Sequence, residues 1–152
     1  MMRVAVDVDG VIADIFAGVR TAQDLGEAMR EPGFFTRLQP IAGALEGLLA
    51  IARAYDVIVV SSAMHVPHAF AEKFAWLRRH LPWLEPDRIV FCGDKRVVAA
   101  EVLIDDGSHH LATFGGHGIL FASPLNADDP WPHRVERWSE LLDAVSAYAV
   151  RR

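Results

Sequence analysis

Apolar residues follow two rhythms along this chain. Short continuous runs at 4–8, 57–60, 89–92, 102–104 and 119–122 are rich in Val and Ile and too short to be helices. They read as strands buried on both faces, the pattern of a parallel sheet. Between them the period changes. After Pro40, Leu45, Leu48, Leu49 and Ala52 recur at helical spacing. Residues 69–80 carry Phe70, Phe74 and Leu77 on one stripe before Pro82, and 139–150 place Leu141, Leu142, Val145 and Tyr148 on one face. Strands alternating with helices predict right-handed crossovers and an α/β fold: a three-layer, Rossmann-like sandwich with a mainly parallel sheet. The segment at about 14–40 breaks the alternation. Gly18, Gly26, Pro32 and Gly33 stand there among helix formers, which predicts a short helix, a turn and a loop: a small helical cap inserted into a single domain spanning 1–152. Gly115, Gly116, His117 and Gly118 read as a turn.

Size and charge narrow the classes. A chain of 152 residues that is 52% hydrophobic suits one domain with a proper core. Fifteen basic residues against twenty acidic ones leave a formal charge of −5, which offers no attraction to a nucleic-acid polymer or an anionic membrane. No apolar run is long enough for a membrane span, and no signal peptide is expected, because Asp7 and Asp9 interrupt the amino terminus. The lone Cys92 has no partner for an internal disulfide. A buried thiol and a cytoplasmic location are the expectations.

The chemistry sits at the strand ends, where open α/β sheets bind their ligands. The first strand delivers Asp7 and Asp9, the second Ser61 and Ser62, and the run 102–104 delivers Asp105 and Asp106, while Lys95 follows the third strand. Four carboxylates in one crevice raise one another's pKa unless a cation compensates, and Mg2+ prefers oxygen ligands of this kind. An Asp pair spaced by two allows one carboxylate to attack phosphorus while the other protonates the leaving oxygen, and Gly10 permits the sharp turn that brings both into the crevice. Ser61 and Lys95 would offset charge on the transferred phosphoryl group. Taken singly, each acid reads as a cap or turn residue, Ser61 as a loop serine and Lys95 as a surface lysine; only the ordered set points to catalysis. His65 with His68, and His109 with His110, lack the partners of a zinc site. A signalling receiver domain also joins aspartates, a hydroxyl and a lysine, but in a different motif order.

In that order the motifs become recognisable. DVDGVIAD resembles the nucleophile motif of the haloacid dehalogenase superfamily, and VVSSA, GDKRVV and VLIDD resemble its second, lysine and acidic motifs. The passages PGFFTRLQPIAGALEGL, FAWLRRHLPWLEPDRIVFCGDKRVV and GILFASPLN resemble the 5'(3')-deoxyribonucleotidases, over nearly the whole chain apart from 14–31. The resemblance implies a Mg2+-dependent phosphomonoesterase acting on deoxynucleoside monophosphates through an aspartyl phosphate. Asp7 would be the nucleophile and Asp9 the general acid and then base. Mg2+ would be held by Asp7, the Asp9 carbonyl and Asp106, with Asp105 beside them orienting Lys95 or a metal-bound water. Ser61, Ser62 and Lys95 would bind the phosphate. The cap is shorter than in better-known relatives, which leaves Phe16, Phe34 and Phe35 as candidates to meet the base. Another small phosphomonoester such as a sugar phosphate, or a catalytically weak nucleotide-binding protein, are the alternatives, and a homodimer is the expected means of completing so small a lid.

Overall fold

In a computed structural model, which describes residues 1–151, six strands form one sheet in the order β3-β2-β1-β4-β5-β6. They are β1 (Arg3–Asp7), β2 (Asp56–Ser61), β3 (Ile89–Phe91), β4 (Val102–Asp105), β5 (His117–Phe121) and β6 (Arg134–Val135). Every pairing is parallel. β1 lies between β2 and β4, so the chain winds outward from it in both directions. The crevice at the carboxyl ends of β1 and β4 is therefore the topological switch point, where such sheets bind ligands.

Side chains of a strand alternate between faces, and here both faces are covered. Val4 and Val6 point into a core shared with α2 (Ala44–Ala54), α3 (Ala69–His80) and α5 (Leu141–Val150). Ala5, Ile58, Leu103 and Leu120 point into a smaller core under α4 (Ser108–Thr113). Two indoles cross the larger core and satisfy their N–H groups on backbone carbonyls: Trp76 donates to Leu38 O at 2.8 Å and Trp138 to Val11 O at 2.7 Å. Among the described residues no helix is long and apolar enough to cross a membrane.

The helical segments lie where the periodicity predicts, but the inward faces of α2 and α3 are rotated. In α3 the expected stripe of Phe70 and Phe74 is exposed, at 37% and 40%, and the buried residues are Ala69, Lys73, Trp76 and Leu77. The spacing 69, 73, 76 and 77 is itself helical; a lysine at its centre disguised it. Phe70 instead packs edge-on against Phe91 of the exposed edge strand, with ring centroids 5.5 Å apart. Leu77→Ala is therefore expected to destabilise the fold by about 2–5 kcal/mol. Phe74→Ser should cost well under half as much; urea midpoints of the two variants check the assignment. In α2 the buried residues are Ala44, Leu48 and Ile51, and in α5 they are Leu141 and Val145, with Leu142 turned outward. Both β6 and α4 are too short for their periodicity to stand out. The glycine run divides: Gly115 and Gly116 turn, whereas His117 and Gly118 already belong to β5.

The irregular segment contains α1 (Ala22–Arg30) and a 3-10 turn at Phe35–Arg37. Thr21 caps α1: its hydroxyl accepts from Asp24 N, and the Asp24 carboxylate accepts from Thr21 N in return. α3 then holds the rest of the segment. The Glu72 carboxylate accepts from Gly33 N at 2.6 Å and from Phe35 N at 3.1 Å; Arg79 donates to Thr36 O, and His68 Nε2 lies 3.1 Å from Met29 O.

Candidate active site

The site begins with a turn that only glycine makes easily. Just after β1, Val8 O accepts from the amides of Ile12 and Ala13, while Gly10, at φ +77°, donates to Ala13 O. This positive φ disfavours any residue with a Cβ. An added methyl at Gly10 would also fall on the Asp106 carboxylate and the Phe16 ring. The tight turn keeps Asp7 and Asp9 together in one cavity of about 230 Å³, facing Lys95, Asp105 and Asp106 from across the switch point.

Lys95 organises the floor. Its Nζ lies 2.6 Å from Asp7 Oδ1 and 2.6 Å from Asp105 Oδ2, and the residue is 3% exposed. Burial works against its charge, but Asp7 and Asp105 outweigh it and hold the ammonium above the ordinary lysine range. Asp105 has no free oxygen, since Oδ1 accepts from Gly107 N at 2.8 Å. Asp7, Asp105 and Asp106 each place a carboxylate oxygen within 4.8 Å of the others. Burial and then the negative charge of Asp7 push Asp105 up to about 7. Burial, followed by Asp7, Asp105 and Asp9, pushes Asp106 up to about 8. The cluster thus holds more negative charge than Lys95 compensates.

The sequence reading missed a second cation. Lys73, in α3, is 2% exposed and reaches Asp9 Oδ2 at 2.5 Å, Ser61 Oγ at 3.0 Å and Ser62 O at 2.8 Å. Its ammonium also lies 4.7 Å from the centroid of the Phe35 ring, a cation–π distance. The signal was available: a lysine at the centre of an otherwise buried helical stripe needs a buried partner. Asp9 Oδ1 is enclosed without a hydrogen-bond partner. Burial raises the Asp9 pKa, with Lys73 opposing and Asp7 reinforcing the shift.

The remaining predicted residues divide. Ser62 lines the cavity, whereas Ser61 is 1% exposed with its hydroxyl engaged by Lys73, one layer beneath. Phe35 lies on the cavity wall, 1% exposed, and serves as the platform under Lys73. Phe34 is not on that wall and instead packs edge-on against Phe35, with centroids 5.0 Å apart. Phe16 faces a neighbouring depression beside Gly10. Cys92 is half-buried rather than buried.

Comparison with known proteins identifies the family. A family model described as 5' nucleotidase, deoxy (pyrimidine), cytosolic type C protein matches residues 21–150. A Staphylococcus aureus protein that carries the name 5'(3')-deoxyribonucleotidase provisionally is 34% identical over 165 residues, covering 91% of this chain and 92% of that protein. The 5'(3')-deoxyribonucleotidase of Bacillus subtilis is 34% identical over 107 residues, covering 70% of this chain and 62% of that protein. Among solved structures, a haloacid dehalogenase-like family hydrolase from Xanthomonas campestris superposes with a TM-score of 0.61 at 18% identity, over 100% of this chain and 99% of that one. The D,D-heptose 1,7-bisphosphate phosphatase from Burkholderia thailandensis gives the same TM-score and identity over 96% and 99%. At that identity both speak for the fold alone. With the family model matching residues 21–150 and the Staphylococcus aureus relative covering 91% of the chain, the chain belongs to the 5' nucleotidase, deoxy (pyrimidine), cytosolic type C family, a family of phosphoric monoester hydrolases.

Proposed function

We propose that the protein is a Mg2+-dependent 5'(3')-deoxyribonucleotidase working through an aspartyl phosphate, with the segment at about 14–40 as a reduced cap. The observation that carries this reading is the juxtaposition, in one cavity at the switch point, of Asp7 held by Lys95 and Asp9 held by Lys73. An Asp7 oxygen attacks phosphorus, the bond to the ester oxygen breaks, and Asp9 gives its proton to that oxygen, which leaves as a hydroxyl group. Asp9, now a carboxylate, takes a proton from the water that attacks the aspartyl phosphate; phosphate leaves and Asp7 is restored. An acid with a raised pKa suits the first of these roles. Lys95 and Ser62, which line the cavity, would offset charge on the phosphoryl oxygens.

The acid cluster fits a hard divalent cation. Both oxygens of Asp105 are already bonded, so Asp7, Asp106 and the Asp9 carbonyl are the proposed ligands, with Asp105 as their support through Lys95. The ion, when bound, supplies charge neutralisation at phosphate. Its fit has a consequence apart from activity. A carboxyl group with a raised folded-state pKa binds its proton more tightly in the native protein than in the unfolded chain. Asp105 and Asp106 thus reduce the stability of metal-free protein as pH climbs from the ordinary carboxylate value of about 4 through about 7 and 8. A bound cation offsets that loss. The melting-temperature difference between Mg2+ and EDTA is expected to widen from pH 5 to pH 8, and a difference that stays flat or narrows would count against the ligand set.

The substrate is tested by phosphate release from dUMP, dTMP and the remaining deoxynucleotides beside sugar phosphates, with Mg2+ and with EDTA. Release from nucleotides that EDTA abolishes is the expected result. Release from sugar phosphates alone would keep the chemistry and remove the nucleotidase assignment.

A further inference from the structure

One wall of the catalytic cavity, formed by the first turn of α4, is made of imidazole. His109 and His110 both line the cavity beside Asp106 and Gly107, with ring centroids 3.9 Å apart and planes inclined by 40°. The lining also includes the apolar side chains of Ile15, Met29, Met64 and Val66. The two rings reach this position because residue 107 has no side chain. A Cβ there would lie 2.8 Å from His109 Cε1, 3.1 Å from His109 Nδ1 and 3.2 Å from His110 Cδ2. Gly107 sits at φ −100°, which any residue adopts, so the space it leaves, not its backbone, is what the glycine supplies.

We propose that His109 and His110 are specificity-determining residues, holding the nucleobase of the substrate against their rings while the phosphate sits on the Asp7–Lys95 floor. The inference rests on the nucleotidase reading and names the part of the chain that selects the leaving group. Three features support it. A paired aromatic surface in a cavity with apolar lining suits a planar base, since a base offers a π face whatever its substituents. The imidazole nitrogens add donors and acceptors for the base edge or the sugar hydroxyl. Burial, then Lys95 and His109, also lowers His110 to about 4, so at neutral pH its uncharged ring keeps both a donor and an acceptor and adds no cation to the site. Phe34 and Phe35, the aromatic residues predicted to contact the base, are committed to packing and to Lys73, whereas the imidazole pair lines the cavity beside Asp106.

The experiment compares a deoxynucleoside 5'-monophosphate with deoxyribose 5-phosphate, which presents the same ester and sugar without a base. His109→Ala and His110→Ala are expected to raise KM for the nucleotide roughly tenfold with kcat little changed, and to leave both constants for the base-free ester unaltered. An equal loss on both substrates would assign the histidines a role in supporting Asp106 and the phosphate floor; no loss on either would remove them from recognition. Both results overturn the inference, and both are distinct from failure of the nucleotidase reading, in which the unaltered protein does not release phosphate from nucleotides at all.

Discussion

Asp7→Asn is expected to lower phosphate release from deoxynucleotides by on the order of 10⁵-fold or more, the scale of loss when a covalent nucleophile is removed from an otherwise intact site. An amide oxygen is a poor nucleophile and cannot form the mixed anhydride. The fold should survive. Lys95 keeps its bond to Asp105 Oδ2, and Asp7 is a charge that raises the pKa of both Asp105 and Asp106. Removing that charge relieves a repulsion, so the variant's melting temperature in EDTA should equal or exceed that of the unaltered protein. Activity falling while stability holds separates a reacting group from a structural one. A residual rate within about tenfold of the original would end the covalent mechanism with Asp7 as nucleophile.

The second large effect is at Lys73. Lys73→Met keeps the length of the side chain and removes the charge, leaving Asp9 without its ammonium partner, with its Oδ1 enclosed and unpartnered as before. Breaking one side of a buried pair costs about 3–5 kcal/mol, because the remaining group stays desolvated. Ser61 Oγ and Ser62 O lose the same donor. The midpoint of urea unfolding should drop accordingly. In the fraction that remains folded, kcat with a nucleotide should fall about 10²- to 10³-fold, the usual worth of a positioned general acid. A leaving group that departs without a proton bypasses that role, so p-nitrophenyl phosphate should be hydrolysed with a much smaller loss. Equal losses on the two substrates would show that Lys73 supports the phosphate site as a whole and does not act through Asp9.

Legibility followed the range of the interactions. The strand at 4–8, the helix periods and the order of Asp7, Ser61, Lys95 and Asp106 could be read along the chain, because buried parallel strands are continuous apolar runs and functional groups collect at their ends. The capping box at Thr21 and Asp24 is a local signal of the same kind. Which helix face turned inward was not legible for α3: Phe70 and Phe74 are the more hydrophobic choice, yet Lys73 is buried because Asp9, 64 residues earlier, waits in the turn after β1. Long-range pairing of this sort leaves no periodic trace.

Local chemistry in the sequence therefore determined the alternation of strands and helices, the identity of the carboxylates and the turn at Gly10. Tertiary structure decided their division of labour. It committed Asp105 on both oxygens and left Asp106 the more available, drew Ser61 beneath the cavity, turned Phe35 into a platform for a lysine, and set two imidazoles where Gly107 leaves room. The reason is physical. A residue's type and spacing limit what it can donate, accept or bury, but its charge state and its partner depend on groups brought beside it from elsewhere in the chain, and only the folded sheet fixes those distances.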